Sequence, residues 1–261
     1  MRNESGGSGW SGNAARLLEL LWGTADPRGR RGPRPGLSVE EVVRSAIAIA
    51  DGDGLEAVTM RRLAESLGVR PMALYTYVPG KSELLDLMLD RVYGEMPRAA
   101  WRSDRWRERL TVVARDNRAL FEAHPWAAAV SGSRPPLGPG LMAKYEHELT
   151  ALATAGLDDV ETDAALTFLL DFVRSSALGA HDARAIRKST GMTDEEWWTA
   201  NAPLLARVVD ANAYPTAARV GAAAGAAQGG AYSPDRAWEF GLERVLDGLG
   251  VLIERRDRAV P

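Results

Sequence analysis

Apolar residues recur at helical spacing along most of the chain, with polar residues on the faces between them. From Leu37, apolar positions run through Val39, Val43 and Ile47 until DGDG at 51–54 interrupts them. No alternating pattern of useful strand length occurs, and the chain has no internal repeat. The sequence therefore predicts an all-α fold.

Helix-start signals mark several of the predicted boundaries. Ser38 with Glu41, and Thr193 with Glu196, form capping-box patterns in which each side chain can satisfy a free backbone N–H. A helix is expected to begin at Lys81 and Ser82 and to continue through SELLDLMLDRVYGEM. Further helices are expected at residues 105–124, 140–155, 160–180, 193–211 and 234–256.

Residues 59–77 have the pattern of a helix-turn-helix. Thr59 can cap the first helix, Gly68 supplies a turn, and Ala64 is small where two helices would cross. The residues expected on the buried faces are Leu63, Leu67, Val69 and Leu74. The second helix is very short, beginning near residue 70. In this motif it lies in the DNA major groove, so the pattern indicates a DNA-binding unit.

Three segments lack a clear helical pattern or have one only in part. Residues 1–12 are rich in glycine and serine and are expected to be disordered, followed by a short amphipathic helix at 14–22. Residues 23–36 contain four arginines among prolines and glycines, which predicts an extended basic arm. Residues 216–234 are mostly small, and we expect a mobile loop there.

Composition permits a full hydrophobic core and excludes some classes of protein. The 261 residues are 46% hydrophobic, enough for one large domain or two modest ones. Cysteine is absent, which excludes a disulfide scaffold and a thiolate metal site. No apolar run approaches the roughly 20 residues that span a bilayer, and the N-terminus lacks the apolar core of a signal peptide. We expect a cytoplasmic protein with no membrane partner.

The formal net charge is −3, so a nucleic-acid-binding protein would have to keep its positive charge local. Residues 28–91 hold ten Arg or Lys against nine Asp or Glu, whereas residues 92–261 hold twenty against twenty-three. This asymmetry is small, and charge alone does not decide the function.

The run from Leu37 to Tyr93, with TMRRLAESLGV followed by LYTYVPGKSELLD, resembles the DNA-binding domain of TetR-family transcriptional regulators. The basic arm before it and the HPW and GLDD segments after it resemble an actinobacterial subgroup that includes the simocyclinone exporter repressor. The resemblance implies a three-helix DNA-binding domain at 37–84 and a larger helical effector-binding and dimerisation domain at 85–261. Residues 1–36 would be a flexible extension.

The resemblance also assigns roles to residues of the helix-turn-helix. Arg61 matches a base-reading arginine, which can donate to guanine O6 and N7. Four residues match positions that face base edges: Arg70, Pro71, Met72 and Ala73. Four match phosphate-binding positions: Thr59, Tyr75, Tyr77 and Lys81. Because Met72 and Ala73 offer no side-chain hydrogen bond, we expect specificity to depend on Arg61, Arg70 and DNA shape. Arg62 is expected in an ion pair within the domain or in solvent.

The basic arm adds four candidate DNA contacts: Arg28, Arg30, Arg31 and Arg34. Guanidinium groups on an extended chain suit a narrow minor groove or phosphates. A solubilising tail is the alternative.

Aromatic and polar residues share the predicted C-terminal helices and could line an effector pocket, although large aromatics also serve as core. The candidates are Trp106, Phe121, Trp126, Met142, Tyr145, Phe168, Phe172, Trp197 and Trp198. Two apolar stripes could be core or interface, and the resemblance favours a four-helix dimer interface. They comprise Leu166, Leu169, Leu170 and Val173, and Trp238, Leu242, Val245, Leu249 and Ile253.

No catalytic, cofactor or metal motif is found. His147 and His181 lie on separate predicted helices without a ligand-spaced partner, and DDVETD departs from an aspartate-rich magnesium pattern because residue 162 is Thr. We therefore expect no enzyme, no cofactor and no metal site. The expected function is a homodimeric regulator, a repressor of a pseudo-palindromic DNA operator that a small hydrophobic metabolite or antibiotic releases. The alternative is a helical small-molecule-binding protein or enzyme that carries a DNA-binding head.

Overall fold

The computed structural model describes residues 7–24, 37–131 and 135–259, which form twelve α-helices and no strand. The all-α prediction is confirmed for this part of the chain. The first five helices are α1 (Gly7–Leu21), α2 (Val39–Asp53), α3 (Met60–Ser66), α4 (Pro71–Leu74) and α5 (Lys81–Glu95), with a 3₁₀ turn at Leu55–Ala57. Within the same ranges, no helix combines the length and apolar character needed to cross a bilayer.

The C-terminal helices surround a second part of the core. They are α6 (Trp106–Ala123), α7 (Pro125–Val130), α8 (Pro139–Thr150), α9 (Asp159–Thr190), α10 (Asp194–Val208), α11 (Pro215–Gln228) and α12 (Pro234–Ala259). Helices α6, α9 and α12 pack on one another, and α7 packs on α6 and α9. One hydrophobic cluster runs continuously from α2 to α12.

Side-chain caps start the helices where the sequence predicted them. Ser38 accepts from the Glu41 N–H while Glu41 accepts from the Ser38 N–H, and Thr193 and Glu196 repeat the arrangement. A third capping box joins Asp158 to Glu161 at the start of α9. These reciprocal bonds satisfy N–H groups that have no partner inside the helix.

Several predicted helix bounds are wrong, and a predicted loop forms a helix. Helix α1 begins at Gly7, inside the segment expected to be disordered. Residues 215–228, expected to be a loop, form α11, because seven alanines with the highest helix propensity outweigh two glycines, and Gly229 ends the helix at φ 65°. Helix α9 runs to Thr190 rather than 180, and Gly191 terminates it.

The two apolar stripes expected at a dimer interface belong to the core of the subunit. Leu166, Leu169 and Val173 of α9 are buried, and Leu170 is partly buried against the same core. All five stripe residues of α12 are buried as well. The reason is that α9 and α12 pack on each other and on α6, which covers these faces. The apolar side chains left exposed lie on other faces and include Phe168, Phe240 and Val251.

Helix α5 joins the N-terminal helices to the rest of the molecule, and the boundary predicted at residue 84 falls inside it. It packs along α8, whose first turn it contacts through Asp90. The Asp90 carboxylate accepts from the backbone N–H of Gly140 at 3.1 Å and of Leu141 at 2.8 Å. Burial raises the pKa of Asp90, and the two backbone donors oppose that effect. Asp90 thus caps α8 from a different helix.

Gly140 allows this close approach. A Cβ at this position would lie 1.9 Å from the carbonyl oxygen of Asp90, inside the backbone of α5. The N-terminal helix reinforces the same region, since Trp22 Nε1, just after α1, donates to the Leu137 carbonyl at 2.8 Å. The N-terminal and C-terminal helices are therefore held together by side-chain hydrogen bonds to backbone groups and by the close approach of α5 to Gly140.

Replacing Gly140 by alanine should destabilise the protein by about 1–3 kcal/mol or more, since the methyl group meets backbone that cannot rotate away. Urea unfolding measures the change. Gly52→Ala is the matched control: a Cβ there has open space within 4 Å, so its stability should be unchanged or slightly raised. Equal stabilities for the two variants would contradict the proposed packing constraint.

Candidate nucleic-acid interface and effector cavity

The turn between α3 and α4 is fixed by backbone hydrogen bonds around Gly68. The Val69 N–H donates to the Ala64 carbonyl at 3.0 Å and the Gly68 N–H donates to the Glu65 carbonyl at 3.3 Å. This is a Schellman motif, which requires a left-handed residue, and Gly68 adopts φ 66°. Thr59 caps the other end of α3 through the Arg62 N–H. The turn sets the angle at which α4 leaves the domain.

Helix α4 presents a short, largely unobstructed face. Leu74 is fully buried and anchors the helix, whereas Met72 is 77% exposed, beside exposed Arg70 and Pro71. Ala73 is half-buried. Arg70 is the N-cap residue and supplies no side-chain cap, so the first turn of α4 is free to face a ligand. The four predicted base-facing residues thus lie on one protruding turn.

Two arginines at the start of α3 differ in what holds them. Arg62 pairs through its terminal nitrogen Nη2 with Asp53, which confirms the expected ion pair within the domain. Arg61 is 85% exposed in its side chain and donates from Nε to Glu65 Oε1 at 3.0 Å. Its two terminal nitrogens have no partner among the described residues. The fork of Arg61 therefore remains available to a base.

The predicted phosphate-binding residues flank α4. Tyr75 and Lys81 are exposed, and Tyr77 is half-buried against the core. Lys81 opens α5, whose N-cap residue Gly80 has no side chain to satisfy the first N–H groups. A helix start with free N–H groups and a nearby ammonium favours a phosphate. Arg28, Arg30, Arg31 and Arg34 lie outside the described residues.

A cavity of about 550 Å³ lies in the C-terminal helices, between α5, α6, α8 and α9. Its lining residues are Tyr93, Asn117, Phe121, Ser131, Pro135, Leu141, Lys144, Thr167, Leu170, Asp171 and Arg174. The volume suits a small organic molecule. Burial raises the pKa of the Tyr93 phenol, which lies close to the Ser131 hydroxyl at 2.9 Å.

Helix α9 supplies one polar wall of this cavity. Thr167, Asp171 and Arg174 are spaced at i, i+4 and i+7, so they lie on one side of the helix. Arg174 Nε donates to the Ala128 carbonyl at 2.7 Å, and its terminal nitrogens have no partner in the described part of the chain. Neither the Thr167 hydroxyl nor the Asp171 carboxylate is hydrogen-bonded to a described residue. Three polar groups are thus available to a ligand.

The opposite wall contains a buried ion pair. Lys144 Nζ lies 2.7 Å from Glu148 Oε2, with side chains only 7% and 4% exposed. Asn117 Nδ2 donates to Glu148 Oε1 at 2.5 Å and to the Val113 carbonyl, and the Lys144 ammonium lies 5.2 Å from the centre of the Tyr93 ring. These charges satisfy one another, so this wall is prearranged before any ligand binds.

The nine residues predicted to line a pocket do not converge on this cavity, and Phe121 is the one that lines it. Phe172 stacks on Trp238 with ring centroids 5.5 Å apart, and Trp106 lines a separate groove beside Asp247 of α12. Trp197 and Trp198 stack on each other in α10. Met142, Tyr145 and Phe168 are exposed. Their side-chain directions depend on tertiary packing, which residue type does not reveal.

Trp126 instead joins the two groups of helices. Its Nε1 donates to Asp51 Oδ1 at 2.7 Å, and His124 Nδ1 lies 2.8 Å from the same oxygen. Asp51 lies near the end of α2, while both aromatic residues flank the start of α7. No local sequence signal marks Asp51, because its partners are more than 70 positions away.

Helix α7 also contacts this cavity through two hydrogen bonds. Its Ala128 carbonyl accepts from Arg174, and its C-cap residue Ser131 donates to the Ala127 carbonyl at 2.6 Å while accepting from Tyr93. Both Arg174 and Tyr93 line the cavity. This six-residue helix is therefore hydrogen-bonded to the cavity at one end and to α2 at the other.

A larger groove of about 720 Å³ lies between α1, α2, α5 and α8. Its charged groups already pair with one another, Arg44 with Glu40 and Arg91 with Glu95, and Arg98 donates to backbone carbonyls. The 550 Å³ cavity, called the α9 cavity below, has polar groups on α9 that lack a hydrogen-bond partner among the described residues. We therefore regard it as the better candidate for a ligand site. The described residues contain no cluster of three or more histidine or acidic side chains suited to a metal ion.

Two family models match the chain. Residues 42–88 match the model of bacterial regulatory proteins of the tetR family, and residues 100–253 match the tetracyclin repressor-like C-terminal domain. The first covers the helix-turn-helix, and the second covers α6, α8 and α9, which supply most of the cavity lining.

Individual proteins agree with these models. The chain is 42% identical to the transcriptional repressor DrrR1 of Streptomyces coeruleorubidus, over 96% of this chain and 91% of that protein. It is 29% identical to the class A tetracycline repressor of Escherichia coli transposon 1721, over 82% and 90% of the two chains. The structure of ActR from Streptomyces coelicolor in complex with actinorhodin superposes with a TM-score of 0.69 at 29% identity, covering 83% of this chain and 96% of ActR.

Breaking the buried ion pair should be costly. Lys144→Met should lower the free energy of unfolding by about 3–5 kcal/mol, because it leaves the Glu148 carboxylate buried without its cation. The double variant Lys144→Met/Glu148→Leu should recover most of this loss, as urea unfolding at pH 7 can measure. Arg44→Met, which breaks an exposed pair, should cost under about 1 kcal/mol. Similar losses for the two single variants would contradict the prearranged wall.

Proposed function

Because the chain belongs to the TetR family of bacterial transcriptional regulators, we propose that it is a repressor whose operator is released when a small molecule occupies the α9 cavity. The observation that carries this proposal is the connection through α7, which joins the cavity to α2 of the DNA-binding helices. The chain thus combines a DNA-facing motif, a candidate ligand site and a physical link between them.

DNA recognition would begin with α4 in the major groove. Met72 and Ala73 can contact a thymine methyl, and the forks of Arg61 and Arg70 can reach guanine. Thr59, Tyr75, Tyr77 and Lys81 would bind phosphates and set the register without reading sequence. The four arginines of the basic arm would add minor-groove or phosphate contacts. Because its target is chromosomal DNA, the protein would act in the cytoplasm.

The functional unit would be a homodimer. Since the inner stripes of α9 and α12 are core, the dimer would use their outer faces, where Phe168, Phe240 and Val251 are exposed. Large exposed apolar side chains on adjacent helices are typical of a partner surface. A two-fold dimer requires a pseudo-palindromic operator with half-sites roughly 34–36 Å apart, or a multiple of one helical turn.

The cavity favours an amphipathic aromatic effector. Tyr93, Phe121, Leu141 and Leu170 offer apolar and aromatic surface, whereas Thr167, Asp171 and Arg174 offer polar groups along one edge. A planar molecule with hydroxyl or carbonyl groups on one side would match both walls. The complex of ActR with actinorhodin supports an antibiotic-like metabolite as the class of ligand.

Release would follow from a shift between two arrangements of α7. A ligand that accepts from the terminal nitrogens of Arg174 would move a side chain whose Nε also donates to the Ala128 carbonyl. Movement of α7 would alter the contact of Trp126 and His124 with Asp51, and thereby the position of α2. Moving the population from 1:99 to 99:1 requires about 5.5 kcal/mol of differential affinity.

No observation favours the enzyme alternative. The acidic residues before α9 are occupied structurally, since Asp158 caps the helix and both Asp158 and Glu161 pair with Arg256. Related proteins are named as transcriptional repressors.

DNA binding can be tested with the full-length protein and a randomised duplex library. The selected sequences should be pseudo-palindromic, and light scattering should give a dimer. Arg61→Ala should cost about 1–3 kcal/mol and relax the preference at one base position per half-site. Tyr75→Phe and Lys81→Ala should weaken all duplexes alike. A wild-type protein that selects no sequence would contradict the repressor function.

The link between the domains can be tested at Trp126. Trp126→Phe removes the indole N–H that binds Asp51, so ligand should still bind but should release the selected duplex about 5- to 150-fold less effectively. The measurement is a mobility shift titrated with actinorhodin, the ligand of the ActR complex. Trp101→Phe is the control, because its indole N–H bonds Thr150 within the C-terminal helices. Equal release by both variants would exclude the proposed route.

A further inference from the structure

We infer that Glu65 is a positioning residue for base recognition, which holds Arg61 so that its two terminal nitrogens point away from the helix toward a base. The inference rests on the proposed function, since it assumes that α3 and α4 face DNA. Glu65 was not among the residues predicted to contact DNA, and it would act on base recognition through Arg61.

The contact uses the one nitrogen of Arg61 that end-on guanine recognition leaves unused. Arg61 and Glu65 lie four residues apart on α3, and the Glu65 carboxylate accepts from Nε at 3.0 Å. Bidentate recognition of guanine O6 and N7 can use Nη1 and Nη2, which have no partner among the described residues. Glu65 therefore orients the guanidinium without occupying its fork.

The neighbouring arginines show that this arrangement is not the general rule in the domain. Arg44 and Arg62 are each held through Nη2, by Glu40 and Asp53, so their forks are partly occupied. Arg70 has no ion-pair partner in the described part of the chain. Of these arginines of α2 to α4, Arg61 is the one whose Nε is hydrogen-bonded while both terminal nitrogens lack a partner among the described residues.

Fixing the orientation in advance has an energetic consequence. An arginine side chain loses much rotamer freedom when it binds a base, and holding Nε beforehand reduces the part of that loss incurred on binding. The benefit is realised where the base accepts both terminal hydrogen bonds. Glu65 should therefore increase the difference between the correct base pair and the others.

The charge of Glu65 acts in the opposite direction on overall affinity. Its carboxylate is 63% exposed in the side chain and would face the phosphate-rich surface of the duplex. Because like charges repel, the Glu65 carboxylate weakens binding to the phosphates of every duplex. At the one base pair that Arg61 contacts, the hydrogen bonds of Arg61 offset this repulsion. Removing the carboxylate should thus raise non-specific affinity and lower discrimination together.

The test uses the full-length protein with the randomised duplex library and compares Glu65→Ala with Glu65→Gln. Both variants lose the charge, but glutamine keeps a carbonyl oxygen that can accept from Arg61 Nε. Glu65→Ala should lose about three- to tenfold discrimination at the Arg61 base pair. Glu65→Gln should retain most of it, and both should bind unrelated duplexes more tightly.

Glu40→Ala is the matched control, since it removes an exposed carboxylate that pairs with Arg44 in the same domain. It should change the affinity for all duplexes by a similar factor and leave the base profile intact. If Arg61→Ala loses the preference at one position but Glu65→Ala keeps it, the positioning role is wrong while the repressor function stands. If Arg61→Ala also leaves the profile unchanged, the inference fails with the base-reading role of Arg61.

Discussion

The contact between α5 and α8 is the constraint on which the arrangement of the molecule depends. Gly140 brings the two backbones together, and Asp90 of α5 accepts from the first N–H groups of α8. Helix α5 directly follows the helix-turn-helix formed by α3 and α4, whereas α8 contributes Leu141 and Lys144 to the cavity lining. Because the contact is made by backbone and a buried carboxylate, α5 and α8 have little freedom to slide relative to each other.

With α5 and α8 held together, α7 is the shorter and more adaptable connection. It has six residues and packs on α6 and α9, and individual hydrogen bonds connect it to its neighbours. Trp126 donates to Asp51 of α2, Arg174 of α9 donates to the Ala128 carbonyl, and Ser131 at its end lies within hydrogen-bonding distance of Tyr93 of α5. Hydrogen bonds of this kind can exchange partners at small net cost, whereas packed backbones cannot. The change of spacing proposed above would therefore require α7 to exchange hydrogen-bond partners while the contact between α5 and α8 stays in place.

Local sequence signals predicted those features that depend on nearby residues. The capping boxes at Ser38 and Thr193, the turn at Gly68 and the pair formed by Arg62 involve partners within ten positions of each other. Helix α11 was missed because its alanines and glycines give opposite signals. Asp90 and Asp51 were missed because their partners lie 50 or more positions away.

The same distinction explains why the exposed residues of α4 were easier to predict than the lining of the cavity beside α9. On α4, Leu74 points inward, Ala73 is half-buried, and Pro71 and Met72 are exposed, so a single short helix determines the exposed set. The cavity is enclosed by four helices, and an aromatic residue on any of them can face the cavity, the core or solvent. The polar residues of α9 match no known sequence motif. Their spacing indicates a cavity wall when the positions of the neighbouring helices are known.

The two walls of the cavity differ in how freely evolution can change them. Asn117 and Lys144 both bind the Glu148 carboxylate in the core. A substitution at any of the three leaves a buried polar group without its partner and destabilises the fold. Thr167 and Asp171 are exposed and bond to no described residue, so their replacement would leave the fold largely untouched. Substitutions along this side of α9 would therefore change the proposed ligand site at little cost in stability, while the opposite wall preserves the scaffold.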